Sequence, residues 1–365
     1  MQFKLSEEQL LIKQSIKEFA ADLNNSSFID AMRGLADIDF LGIFYPEEYG
    51  GAGSNFLTYI LAIEELAKVS ASTALGYATH CNMASYSVFK WGSEELKQKY
   101  LSELLQGKKL GTFAYGENRE GKDLSEITTV AVKDGDMYVI NGTKTFVINA
   151  GLADLYIVFA TVEEKGLSAF VIDKALDEVS FSEPYGMMGL EGIEVKDIIL
   201  EDVKVPAGNI IGGEGDAEKI AQEVLALHSI ATAIIAVGIA QAAMEKSIEY
   251  GKERVQFGRP IIKFDAIQSM IANMASNIAG ARLLAYQAAD LKDNDENYHL
   301  DAYMAKLFAS KIGQETCIDA IQIHGGYGYS KEMDVERLFR DVKGVTINDF
   351  FKKPLQLTIA EQLIY

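Results

Sequence analysis

Apolar residues over the first hundred positions recur every three to four residues, the spacing of one helical face. Ser6 with Gln9 reads as a capping box leading into Ile12, Ile16, Phe19 and Leu23. A second helix is predicted after Ser54, through Tyr59, Ile63, Leu66 and Ala67. A third is predicted from Ser93 as N-cap, with Glu94 and Glu95 suiting its dipole, to Gly107. Pro46-Glu47-Glu48-Tyr49-Gly50-Gly51, between the first two, reads as a loop. Near Leu110 the period falls to two. Met137 to Ile140 and Thr143 to Ile148 flank Asn141-Gly142, a dipeptide that suits a type I′ turn, so a hairpin is predicted there. Further strands are predicted at Leu155–Thr161, Ser168–Ile172 and Ile198–Leu200. Pro206, Gly208, Gly212, Gly213 and Gly215 mark a boundary. Beyond it the helical period returns, over roughly 217–251, 264–291, 298–324, 331–342 and 354–364.

Strands segregated from helices in this way predict an α+β protein and not a doubly wound parallel sheet. The expected parts are an N-terminal helical domain over 1–109, a small β domain over 110–216 and a helical bundle over 217–365. Composition supports a globular chain: 365 residues, 48 % hydrophobic and 24 % charged. The formal charge of −19 repels phosphate backbones and anionic membrane surfaces, so no nucleic-acid or membrane partner is expected. Two cysteines, Cys81 and Cys317, make no disulfide framework. The four histidines lack ligand spacing, so no metal site is expected. The N-terminus runs directly into an amphipathic helix without a signal-peptide core. No apolar run is read as reaching the roughly 18 residues of a membrane span. A cytoplasmic protein is the expectation.

Candidate chemistry begins with glycines. Gly50-Gly51-Ala52-Gly53 and Gly213-Glu214-Gly215 lack a leading strand and the third glycine of the G-x-G-x-x-G pattern, so they read as turns and not as dinucleotide loops. Gly325-Gly326-Tyr327-Gly328, shortly after Gln322, has more glycine than one helix cap needs. It is either a tight turn between helices or a place where backbone approaches a bulky ligand. Arg254, Gln256, Phe257 and Gly258 form a second cluster just past a helix end. Its arginine either caps carbonyls or holds a phosphate bidentately.

Taken in order, these segments resemble the acyl-CoA dehydrogenases. Pro46 to Gly51, Ala71-Ser72-Thr73-Ala74 and Gly92 to Leu101 follow the family's N-terminal pattern. Asn141-Gly142-Thr143-Lys144 and Glu201 to Pro206 follow its middle domain. Glu253 to Pro260, His324 to Tyr329 and Val335 to Asp341 follow its C-terminal domain. The resemblance implies a β-barrel-like middle domain, a C-terminal four-helix bundle, and a homodimer or a dimer-of-dimers homotetramer. It also implies FAD held partly across a subunit interface. Arg254 and Phe257, with Gln322, Gly325 and Gly326 from a neighbouring subunit, match the family's contacts to the FAD pyrophosphate and adenosine, and Gln256 sits among them. The implied reaction is α,β-desaturation of an acyl thioester. A carboxylate takes the α-proton, the β-hydride passes to the flavin, and electrons leave to an electron-transfer flavoprotein.

The chain departs from the pattern at several implied site positions. Counting from Arg340-Asp341, the family's catalytic glutamate falls on Asp349, followed by Phe350 and Phe351. Aspartate is one methylene shorter, about 1.5 Å of reach. Nitroalkane oxidase, a relative in the same superfamily, uses an aspartate base. Other members carry the base on the helix that opens the C-terminal domain, at the position of His228, which reads as a core residue or as a substitute base. Ala226 and Ser229 stand at the family's nearby acidic and arginine positions. The flavin-facing Thr/Ser-Glu-Pro and Gly-Ser-Asp become Gly116-Glu117-Asn118-Arg119-Glu120-Gly121-Lys122-Asp123, where Lys122 is a candidate replacement donor. The flavin-shielding Trp-Ile-Thr/Ser becomes Phe146-Val147-Ile148, and Ile148 has no hydroxyl to give. Three readings follow. One is an acyl-thioester dehydrogenase acting on CoA or on an acyl carrier protein. The others are a flavin oxidase of a small non-thioester substrate and a non-catalytic partner subunit.

Overall fold

The computed structural model describes residues 5–117, 127–347 and 354–364. The N-terminal part holds α1 (Glu7–Ala21), α2 (Phe28–Asp37), α3 (Phe56–Val69), α4 (Ala71–Ala78), α5 (Tyr86–Trp91), α6 (Glu94–Leu96) and α7 (Ser102–Leu105). Helix α1 starts on the expected capping box, with Ser6 and Gln9 each accepting from the other's backbone N–H. Helix α3 starts one residue later than expected, on Asn55, which accepts from Thr58 N–H. Its first two N–H groups, Phe56 and Leu57, donate to Asp293, 237 and 236 residues away (2.8 and 2.9 Å). Helix α4 continues into α5 through a wide helical turn, Thr79–Ser85, and all of α4 and this turn are buried. A helix covered on every face has no periodic polar edge, so the pattern gives it no bounds.

An eight-stranded sheet follows: β1 (Gly111–Ala114), β2 (Val130–Asp134), β3 (Met137–Ile148), β4 (Leu155–Val162), β5 (Gly166–Asp173), β6 (Val179–Phe181), β7 (Val195–Pro206) and β8 (Ile210–Ile211). The order is β6-β7-β3-β2-β4-β5-β8, with β1 parallel to the start of β4. Strand β4 is apolar on both faces: Leu155, Ile157 and Phe159 join the main core, whereas Tyr156, Val158 and Ala160 join a smaller core on the sheet's other side.

The expected hairpin at Asn141-Gly142 is corrected. Strand β3 runs straight through it, and the chain reverses at Gly135 and Asp136, where Asp134 pairs with Met137. Asn141 instead exchanges hydrogen bonds with Asp202 across an irregular step in the β3–β7 ladder. A side chain at Gly142 would strike Thr129, its Cβ only 2.3 Å from Oγ1. The dipeptide serves packing and not a turn.

The rest is helical: α8 (Ala217–Glu253), α9 (Asp265–Asp293), α10 (His299–His324), α11 (Val335–Ile347) and α12 (Leu355–Ile364), with a short hairpin of β9 (Val255–Gln256) and β10 (Arg259–Pro260) after α8. Helix α8 has 37 residues, about 55 Å of rise. It corrects the expectation that no segment is long and apolar enough to span a membrane, because its length and composition suffice. In the fold, however, 94 % of its most apolar stretch is buried against protein.

Helix α3 crosses α8 at Gly238, where a Cβ would lie 2.6 Å from Glu64 O and 2.8 Å from Ala67 Cβ. The buried Glu64 carboxylate beside this crossing accepts from Arg282 Nε (3.0 Å) and Tyr286 OH (2.7 Å) of α9, and Arg282 also donates to Gln241 of α8. Substituting Gly238 with Val should overpack this crossing and cost about 1–3 kcal/mol or more, read as a lowered urea midpoint with unchanged slope.

Candidate active site

The implied flavin wall lies on β3. Between Lys144 and Val147 the β3–β7 register shifts by one residue, so Thr145 and Phe146 together face Asp197. This is a β-bulge, a device that bends a strand and re-aims a side chain. Phe146 adopts φ +54°, and the residue is 45 % exposed. Ile148 is buried, and its carbonyl accepts from Thr112 Oγ1 at 2.6 Å. Gly116 lies beside the bulge, its carbonyl accepting from Thr145 N–H (2.8 Å). Lys122 and Asp349 fall outside the described residues.

Next to Gly116, Glu117 forms a buried ion pair with Lys144. The same carboxylate accepts from Thr129 N–H (3.0 Å), Thr128 N–H and Thr128 Oγ1 (2.8 Å). Burial pushes the Glu117 carboxyl up, but the Lys144 charge and these donors outweigh it and hold the group below its ordinary value. The pair anchors the β1 exit to β3, so the wall's backbone frame persists although Gly116 and Ile148 carry no hydroxyl.

His228 lies on α8, 1 % exposed. Burial, helped by the Lys306 charge, pulls its pKa down to about 3. A neutral imidazole of that acidity is a weak acceptor, because any proton it gains must be desolvated with it. Ala226 and Ser229 are buried, and Ser229 Oγ donates back to Leu225 O within the helix.

At the opposite end of α8 a cleft of about 630 Å³ is lined by Tyr250, Arg254, Gln256, His324, Gly325, Gly326 and Tyr327, among others. All come from a single chain. Within the chain α8 and α10 end side by side, which places Arg254 and the Gly325-Gly326 turn on the same cleft. The exposed Arg254 makes no ion pair among the described residues, and its guanidinium lies 6.0 Å from the Tyr327 ring centroid. Gly328 is explained by packing, since a Cβ would lie 2.4 Å from Ile321 O, and Gly325 by its backbone, at φ +59°, ψ −136°. Gly326 has neither reason, because a Cβ there would meet nothing within 4 Å. It keeps the cleft floor at backbone height.

An arginine without an acidic partner, a bare glycine floor and flanking aromatic rings fit an anionic group attached to a flat ring, as in the pyrophosphate and adenosine of FAD. Two of the expected contacts lie off this lining. Gln322 is exposed, and Phe257 projects from the β9–β10 turn at φ +51°, 92 % exposed. Tyr250 and His324, whose rings stack at 4.4 Å, were not anticipated; the one available signal was their nearness in sequence to Arg254 and Gly325.

Three family profiles match the chain in this order: the acyl-CoA dehydrogenase N-terminal domain over residues 6–108, the middle domain over 112–203 and the C-terminal domain over 218–349. The chain belongs to the acyl-CoA dehydrogenase family. It is 38 % identical to a probable acyl-CoA dehydrogenase of Bacillus subtilis (strain 168), with all of both chains covered. Among solved structures it resembles the butyryl-CoA dehydrogenase of Megasphaera elsdenii (TM-score 0.96, 34 % identity, both chains fully covered). It also resembles a prolyl acyl carrier protein oxidase (TM-score 0.94, 29 % identity, 99 % of this chain and 100 % of the other).

As a member of this family the protein is a flavin-dependent oxidoreductase acting on CH–CH bonds, and the Glu117–Lys144 pair braces the β3 segment that the resemblance implies faces the flavin. Lys144→Met should leave a buried, uncompensated carboxylate and cost about 3–5 kcal/mol, much of it recovered in the Lys144→Met/Glu117→Gln double variant. Urea unfolding of the wild type, Lys144→Met, Glu117→Gln and the double variant checks this. Because the folded pKa of Glu117 is lowered, its contribution is present above the ordinary glutamate range and lost as pH falls through the folded value. Glu117→Gln should remove that part of the acid dependence.

Proposed function

We propose that the protein desaturates an acyl thioester, carried on CoA or on an acyl carrier protein, with FAD as its flavin. The observation that carries this reading is the cleft in which Arg254 faces Gly325 and Gly326, a pyrophosphate cradle kept intact while other family positions have changed. FAD, when bound, supplies the two-electron acceptor for the β-hydride. The chain's own residues do the rest. Arg254 and the Gly326 backbone hold the pyrophosphate, the bulge at Phe146 presents a ring as a wall, and Ile148 closes the wall without donating a hydrogen bond.

The base in this reading is Asp349, eight residues beyond Asp341. A carboxylate retracted by about 1.5 Å requires the α-carbon to sit closer to its segment than a glutamate would. His228, with its pKa near 3, is the weaker acceptor. Ala226 and Ser229 present no charge to the acyl carrier, so its recognition does not depend on them.

The reading extends to assembly and partners. His228 lies 26 residues before Arg254, the residue that caps one continuous helix, about 39 Å along its axis. That separation supports a homodimer or homotetramer in which the Arg254 cleft of one chain serves the flavin whose ring lies in another. An electron-transfer flavoprotein is the acceptor expected in the cytoplasm.

The purified protein should be yellow, and anaerobic addition of an acyl-CoA or acyl carrier protein thioester should bleach its visible band. Bleaching by nitroalkanes alone would favour the small-substrate oxidase, and a colourless protein that takes up no FAD would favour the non-catalytic subunit. Asp349→Asn should keep the flavin and slow anaerobic reduction by about 10²–10⁴-fold. If it has no effect while His228→Ala abolishes reduction, the base is His228.

A further inference from the structure

Phe146 is an aromatic residue in the left-handed region (φ +54°), a conformation disfavoured for any side chain with a Cβ. Three contacts hold it there. The bulge leaves its N–H outside the β3–β7 ladder, and Asp197 Oδ1 accepts that N–H at 3.1 Å. The same carboxylate takes Tyr185 OH on both oxygens, at 3.0 and 2.9 Å. The Tyr185 ring lies flat on the Phe146 ring, centroids 4.2 Å apart and planes within 8°. Asp197 is itself fixed through its backbone, its N–H donating to Ser182 Oγ (2.9 Å) and its carbonyl accepting from Ser182 N–H (3.1 Å). One carboxylate thus fixes the backbone of Phe146 and the phenol of the ring that stacks on it, yet Phe146 remains 45 % exposed. Fixing a half-exposed apolar ring this tightly gains little for the core, so the ring is being aimed at something.

We propose that Tyr185 and Asp197 are positioning residues that set the plane of Phe146 as a two-ring wall for the flavin. This rests on the flavin reading above. With one face of Phe146 covered by Tyr185, only the rest of the ring is available to a ligand, and its orientation is set by the Asp197 carboxylate. A phenyl ring is smaller than an indole, and the second ring behind it restores the stiffness that a lone Phe on a bulge would lack. Removing Tyr185 frees the Phe146 ring to rotate, and removing Asp197 frees its backbone as well.

The test uses the purified full-length protein, stripped of flavin and titrated with FAD while flavin fluorescence and the visible spectrum are recorded. Tyr185→Leu and Asp197→Ala should each weaken FAD binding by about 3–10-fold, the range of one aromatic stacking contact, and raise the fluorescence of the bound flavin. Tyr185→Phe, which keeps the stack and loses only the phenol, should retain most of the affinity. Tyr185→Leu combined with Phe146→Ala should bind no more weakly than Phe146→Ala alone, because both act through one ring. If Tyr185→Leu lowers the urea midpoint but leaves FAD affinity and flavin spectrum at wild-type values, the contact is structural and the proposal falls. Wild-type protein that takes up no FAD overturns the flavin reading and this proposal together. Wild-type protein that binds and reduces FAD beside unaffected variants overturns this proposal alone.

Discussion

A 37-residue helix whose middle, from Val224 to Ala240, is buried on every face has to be enclosed, and the enclosure of α8 sets the place of every large element around it. Helix α3 covers one side at the Gly238 crossing, α9 and α10 cover others, and α11 closes over Gly313, where a Cβ would lie 2.9 Å from Val342 and 3.4 Å from Ala236. Small residues at these crossings let backbones approach, and the buried Glu64–Arg282–Tyr286 group gives the α3–α9 contact direction as well as contact. The sheet joins the same core through the inner face of β4, so the two helical parts and the sheet share one interior.

The same helix explains why the site is spread out. His228 marks one level of α8 and the Arg254 cleft its far end, and nothing in the enclosing helices shortens that distance. The proposed flavin wall is a separate construction on β3, tied to α11 by the loop after Tyr185. Leu190 N–H donates to the buried Asp341 at 2.7 Å, and Gly189 packs so closely on the Arg340 backbone that a Cβ would lie 2.5 Å from its carbonyl carbon. Arg340 adds bonds to Met188 O and Glu191. Wall and bundle are thereby held in fixed relation through contacts that involve none of the substituted side chains of the proposed wall.

What the sequence revealed follows from the range of each signal. Caps and periodicity are local, so the helices begun by Ser6 and Ser93, and most helices after Ala217, could be read directly. Segments buried on every face carry no period, and no bounds could be read for the stretch from Ala71 to Ser85 for that reason. Asn141-Gly142 misled because its local preference for a turn was overruled by a partner 61 residues away, Asp202. At the site, Arg254 and the glycines were legible as unusual residue types. The bulge at Phe146 was not, because it exists only in register with β7, and the Tyr185 ring that stacks on it lies 39 positions further along the chain.

The N-terminus of α3 has a consequence for the birth of the protein. Its first two N–H groups find their carboxylate in Asp293, 237 and 236 residues downstream. During synthesis at about 5–20 residues per second, roughly 10–50 s separate these groups from that partner. For much of that interval the faces of α3 that pack on α8 and α9 have nothing to cover them. The N-terminal helices therefore emerge as an unfinished layer, exposed to chaperones and to aggregation, and completed only when the last third of the chain folds back across them.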